Sequence, residues 1–262
     1  MPFTDVSGIR IVYDDRGEEE PALLFLPGWC VNRTAFADLL SRTSEHRRSL
    51  ALDWPGHGHS DAPPRDFGAK ELVQSAAAVI EASGADGVVP VALAHSGWVA
   101  LELRRRLGRR IPKIVLLDWI VTEPPPPFLE TLRGMQSAEQ WKQAVEQVLA
   151  MWLHDVDNPN LTRFVQEEIG AYGQAMWARA AREIGAAYEK EGTPLQALSR
   201  LVPAIPVLHL YAQPQSDEYL TAQQAFAAGH PWFHVRRLNA ASHFPMFEVP
   251  DEMAAAIEQF AA

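Results

Sequence analysis

The feature that most constrains this chain is a rhythm, in which short β-branched and leucine-rich runs recur between stretches of helical periodicity. The runs are Ile9 to Asp14, Ala22 to Leu26, Ser49 to Asp53, Gly87 to Ala92, Lys113 to Leu117, Pro206 to Tyr211 and Phe233 to Leu238. Strands that alternate with helices are joined by crossovers, so the pattern predicts an α/β fold with a mostly parallel sheet flanked by helices. Leu23 to Leu26, Val88 to Val91 and Ile114 to Leu117 are continuously apolar. Such runs suit strands covered on both faces and predict the middle of the sheet.

Between Glu123 and about Pro203 the rhythm changes. Helical periodicity spans Ala138 to Leu153, Leu161 to Ala187 and Pro194 to Leu201, with no convincing strand. Pro124 to Pro127 leads into this region and reads as a stiff extended segment, because proline cannot continue a helix. The division expected is a core of residues 1–122 and 204–262 with a helical cap, 123–203, inserted after the strand ending near Asp118. A chain of 262 residues has room for one such core and a modest insertion.

Composition narrows the partners. A hydrophobic fraction of 47% and a charged fraction of 21% suit an ordinary packed core. The net charge of −10 disfavours nucleic acid and anionic membranes, which need a positive field. Arg104, Arg105, Arg106, Arg109 and Arg110 fall in a helical pattern and read as a solvated face. Cys30 is the single cysteine, so no intrachain disulfide forms and a reducing cytoplasm is the expected compartment. The start of the chain lacks a leader pattern, and no run of about 18 apolar residues occurs. A monomer is expected.

Four loops follow predicted strands at their C-terminal ends, where parallel sheets bind ligands. They are Leu26-Pro27-Gly28-Trp29, Asp53-Trp54-Pro55-Gly56-His57-Gly58-His59-Ser60, Val91-Ala92-Leu93-Ala94-His95-Ser96-Gly97-Trp98, and Ser242-His243-Phe244-Pro245. In this order they resemble the α/β-hydrolase fold: an oxyanion loop, a structural turn, a nucleophile elbow and a base histidine. The elbow motif needs small residues two places either side of its apex, where backbones crowd. With Ser96 at the apex the flanks are Ala94 and Trp98, and the indole fits poorly. With Ala94 at the apex they are Ala92 and Ser96, both small, and Gly97 allows close helix packing. The second register is favoured, and it leaves no hydroxyl for acyl-enzyme chemistry.

After the run Pro206 to Tyr211, where hydrolases of this fold usually carry the triad acid, Gln215 holds the expected position and Asp217 is a near miss. Asp118, in Leu116-Leu117-Asp118-Trp119, is the favoured partner of His243. The nine histidines are otherwise scattered, and His57 and His59 lack nearby ligand pairs, so no metal site is expected.

These departures, with Pro27-Gly28-Trp29-Cys30, Gly97-Trp98, Asp118-Trp119 and His243-Phe244-Pro245, resemble the cofactor-independent 3-hydroxy-4(1H)-quinolone 2,4-dioxygenases of the α/β-hydrolase superfamily. The similarity continues through Met151-Trp152-Leu153, Tyr172-Gly173, Trp177 and His230-Pro231-Trp232-Phe233. The chain departs from the family pattern at Ala94, where serine is usual, and at Val31, where histidine is usual.

The resemblance implies ring cleavage by O2 with no cofactor and release of carbon monoxide. His243 would deprotonate the 3-hydroxyl, with Asp118 fixing its tautomer. The N–H groups of Trp29 and His95 would form an oxyanion hole. The implied partners are a small aromatic substrate and O2. Trp29, Val31, Trp152 and Trp177 are candidate walls of an apolar slot, and Phe128, Leu129, Leu132, Met135 and Met151 could receive a 2-alkyl tail; each also suits plain core packing. Two other classes stay open: a serine hydrolase using Ser96, His243 and Asp118 or Asp217, and a ligand receptor on a hydrolase scaffold.

Overall fold

Each of the seven apolar runs forms a strand in the computed structural model, which describes residues 1–262. The strands are β1 (Phe3–Val6), β2 (Ile9–Arg16), β3 (Ala22–Leu26), β4 (Ser49–Leu52), β5 (Val88–Leu93), β6 (Ile114–Leu117), β7 (Val207–Tyr211) and β8 (Phe233–Arg237). They make one eight-stranded sheet of order β1-β2-β4-β3-β5-β6-β7-β8. The β1–β2 and β2–β4 pairs are antiparallel and the rest parallel. The continuously apolar β3, β5 and β6 lie together in the middle and are wholly buried, as strands with helices on both faces must be.

The strand absent from the expectations is β1. Its alternating exposed and half-buried residues carry little apolar signal at the sheet edge. It turns into β2 through Ser7 and Gly8, both at positive φ, the geometry that lets a two-residue hairpin follow strand twist.

The helices are α1 (Ala37–Thr43), α2 (Ala69–Ser83), α3 (Gly97–Leu107), α4 (Pro126–Gln136), α5 (Trp141–Trp152), α6 (Pro159–Arg163), α7 (Gln174–Glu191), α8 (Pro194–Ser199), α9 (Asp217–Gly229) and α10 (Pro250–Ala261). Side chains alternate along the central strands: Leu23 and Phe25 join the core under α1 and α10, whereas Ala22, Leu24 and Leu26 join that under α2 and α3. Residues of α4, α5 and α7 extend the first core, and Leu195, Ala197 and Leu198 of α8 belong to the second.

The proline run does not behave as expected. Pro124 and Pro125 precede α4, but Pro126 and Pro127 form its first turn, where a missing N–H costs nothing and a fixed φ suits the helix. The helical periodicity read over Leu161 to Ala187 falls on three segments: α6 runs into a widened helical segment, Phe164–Ile169, before α7 begins at Gln174. No helix is long and apolar enough to cross a membrane.

Candidate active site

Because β3 to β8 run parallel, the loops after them emerge on one edge of the sheet, and residues far apart in the chain converge there. Asp118 follows β6 directly, in a left-handed turn of φ 45°. Its Oδ2 lies 2.6 Å from Nδ1 of His243. Its Oδ1 accepts the N–H groups of Ala212, at 2.6 Å, and Gln213, at 2.9 Å. The carboxylate thus has every lone pair but those facing His243 tied to the backbone beyond β7, which fixes its direction.

The loop carrying His243 is braced by two residues the sequence patterns did not single out. The Glu248 carboxylate accepts the N–H groups of Ala241, at 3.0 Å, and Ser242, at 2.8 Å, and the Ser242 hydroxyl as well. Gln213 donates its amide to the Ala241 carbonyl at 2.8 Å. The only local cue to Glu248 was its position shortly after His243. Gln215, at the usual acid position, likewise donates to the Ala240 carbonyl, and Asp217 is exposed and paired with Arg237 in the first turn of α9. Neither is a partner of His243.

At the end of β5, φ is +50° at Ala94 and −65° at Ser96. The strained apex is therefore Ala94, and Ser96 already has helical geometry. The Ser96 hydroxyl is buried and donates to the Pro27 carbonyl, away from the cavity. A side chain at Gly97 would overlap the Trp119 ring, so the glycine permits α3 to pass close to the residue after Asp118.

Cys30, at φ 61°, donates its N–H to Nε2 of His57 at 3.1 Å, and Nδ1 of His57 lies 2.9 Å from the Pro55 carbonyl. Burial pushes the His57 pKa down to about 4, so the ring is neutral and braces the loop after β3. The neighbouring N–H of Trp29 has no protein acceptor.

Asp118, His243, Ala94 and His95 line a cavity of about 900 Å³. Trp29 and Val31 wall it from the β3 loop, and Trp152 and Trp177 from α5 and α7. Trp152 stacks on the His243 ring, with centroids 4.8 Å apart and planes at 13°. Leu132 and Met135 of α4 and Ile184 of α7 also line the cavity and add apolar wall. Phe128 also reaches it, stacked on His95 at 5.6 Å. No group of three or more His, Cys, Asp and Glu side chains is gathered as a metal site.

His95 was expected to contribute its backbone N–H to an oxyanion hole. Its ring also lines the cavity, and the Trp119 indole N–H donates to its Nδ1 at 3.3 Å. Burial, with the nearby His243, pushes its pKa down to about 3.

The arrangement can remove a proton and hold the resulting anion among apolar walls. It offers no nucleophilic hydroxyl at the apex. A model of the alpha/beta hydrolase family matches residues 23–256. A 2-heptyl-3-hydroxy-4(1H)-quinolone dioxygenase of Mycobacteroides abscessus is 36% identical over 252 residues, 95% of this chain and 94% of that protein. A 1H-3-hydroxy-4-oxoquinoline 2,4-dioxygenase of Pseudomonas putida is 32% identical, covering 99% of each chain. Among solved structures, one described as the basis for recognition and ring cleavage of the Pseudomonas quinolone signal, in complex with its product, superposes with TM-score 0.94 at 35% identity and covers 100% of both chains.

Proposed function

The chain belongs to the 3-hydroxy-4-quinolone 2,4-dioxygenase family of the α/β hydrolases, and on that premise we propose that it cleaves the ring of a 2-alkyl-3-hydroxy-4(1H)-quinolone with O2. The products are an N-acylanthranilate and carbon monoxide. The observation that carries this reading is the 2.6 Å contact between His243 and Asp118, facing an apolar cavity whose elbow apex is an alanine.

In this reading Asp118 holds the proton of His243 on Nδ1, leaving Nε2 free to take the 3-hydroxyl proton, and then stabilises the imidazolium. The substrate anion supplies the electrons for O2. A peroxide forms at C2 and attacks the C4 carbonyl, and the bicyclic product collapses with loss of CO. Both oxygen atoms of O2 enter the organic product, and the carbon lost is the one that bore the 3-hydroxyl. Trp29 and His95 offer N–H groups to the developing oxyanion. Apolar walls at Trp152 and Trp177 keep water from the electron-rich anion. The arm lined by Leu132, Met135 and Ile184 suits a longer 2-alkyl tail, and Val31 keeps the approach apolar.

The cap of this reading is residues 123–203 on a core of 1–122 and 204–262, acting as a cytoplasmic monomer. A serine hydrolase would need a hydroxyl at the apex, and Ser96 is engaged with Pro27.

The test is turnover of 2-heptyl-3-hydroxy-4(1H)-quinolone by chelator-treated protein in air-saturated buffer, following O2 uptake, CO and N-octanoylanthranilate. Equal CO and product, abolished in His243→Ala, is expected. No turnover of this or the 2-methyl compound, with ester hydrolysis lost in Ser96→Ala, would make the protein a serine hydrolase.

A further inference from the structure

The cavity floor holds two histidines whose tautomers are set in opposite senses. His243 faces the Asp118 carboxylate through Nδ1, so that nitrogen carries the proton and Nε2 is an acceptor. His95 faces the Trp119 indole through Nδ1. An indole N–H can only donate, so Nδ1 of His95 must accept, and a neutral ring then carries its proton on Nε2. That Nε2 has no protein partner, and the ring lies against the cavity between Phe128, 5.6 Å away and nearly parallel, and Tyr188, 5.8 Å away and edge-on.

Trp119 is itself held at each of its polar groups. Its backbone N–H donates to Nε2 of the buried His209 at 3.3 Å, and its carbonyl accepts the Tyr219 hydroxyl at 2.7 Å. Nδ1 of His209 faces the Gln223 amide oxygen at 2.5 Å, which leaves His209 Nε2 as the acceptor. Gly97 leaves room for the indole, and Trp98 meets it edge-on at 4.8 Å. Trp119 thus joins the two halves of the site: its backbone continues from Asp118, and its side chain sets His95.

A 3-hydroxy-4-quinolone presents a hydroxyl donor and a carbonyl acceptor on adjacent ring carbons. An imidazole acceptor beside an imidazole donor complements that pair. We propose that His95 contacts the substrate directly, its Nε2–H donating to the 4-carbonyl oxygen, and that Trp119 is the positioning residue that fixes the donor tautomer.

The inference rests on the quinolone reading given above. A neutral imidazole suits the task better than a cation, because it polarises the carbonyl without handing over a proton that would quench the anion. The negative charge formed on the 3-oxygen lies beside the 4-oxygen and makes that pair a stronger acceptor, so the hydrogen bond strengthens as His243 takes the proton.

The test combines steady-state turnover of 2-heptyl-3-hydroxy-4(1H)-quinolone, ultraviolet titration of the substrate bound without O2, and ¹⁵N NMR of the histidine rings. His95→Phe is expected to lower kcat/KM by roughly 10- to 100-fold and to raise the pH at which the bound substrate ionises. His95→Gln, which keeps an N–H donor, should recover part of both. Trp119→Phe removes the indole N–H together with part of the ring's volume and should move both readouts the same way by a smaller factor. In the His95→Phe background it should add nothing, because its route to the substrate is gone. NMR should find the proton of His95 on Nε2 in the unaltered protein and a mixture of tautomers in Trp119→Phe. A proton on Nδ1, an unchanged His95→Phe, or equal effects of Trp119→Phe with and without His95 would each overturn the inference while normal turnover by the unaltered protein left the reading of function intact. Absence of turnover by the unaltered protein would remove both.

Discussion

At the scale of single residues, the proposed catalytic pair of His243 and Asp118 is ordered by backbone hydrogen bonds. Asp118 is 3% exposed, and its Oδ1 is filled by the N–H groups of Ala212 and Gln213. Replacing it with asparagine would keep the shape but remove the charge that stabilises the imidazolium. Asp118→Asn is therefore expected to lower kcat/KM by about 10² to 10⁴ with little change in KM. A rise in KM with unchanged kcat would instead assign Asp118 to substrate binding. Gly97 is the residue whose size matters most beside the site. Gly97→Ala forces the Trp119 ring away from α3 and should cost about 1–3 kcal/mol, read as a lower urea midpoint, because the packed neighbours have nowhere to relax.

Among the elements, α4 has the largest say in what the cavity accepts. It begins on Pro126 and Pro127 and brings Phe128, Leu132 and Met135 to the cavity wall. Met135 is 5% exposed and lines the cavity with Leu132 and Ile184, in the arm proposed for the 2-alkyl tail. Met135→Trp should fill that arm. KM for the 2-heptyl substrate is expected to rise by roughly 10-fold while that for the 2-methyl compound barely changes, since each excluded methylene forfeits a part of its transfer free energy. Equal losses for both substrates would mean that the tail lies elsewhere. A sequence reading finds α4 hard to see because a run of prolines signals extended chain, and only the two at its start are compatible with a helix.

For the whole molecule, three buried neutral histidines couple folding to pH: His57, His209 and His95, the last pushed down to about 3. His57 and His209 brace the β3 loop and the Trp119 turn, and burial pushes each down to about 4 from 6.5. Between those values the unfolded chain binds more protons than the folded one, so stability is full above pH 6.5 and falls as pH drops toward 4. Each ring contributes a slope of at most about 1.4 kcal/mol per pH unit. Urea midpoints measured from pH 7 to 5 should decline through a window where most carboxylates have not begun to protonate. A flat profile would mean that these rings carry a proton in the folded protein. What the amino-acid sequence determined by itself was the α/β architecture, the central strands and the loops that carry Ala94, Asp118 and His243. Burial on both faces demands continuous apolar runs, and strained turns demand small residues within a few positions, so neighbours in the chain encode both. The edge strand β1 escaped because exposure removes that demand. Only the tertiary structure decided that Trp119 meets His95 and His209, that Glu248 braces the His243 loop, and that Ser96 turns to Pro27. Those contacts depend on which strands lie side by side and which loops share an edge, and no local periodicity records the order of a sheet.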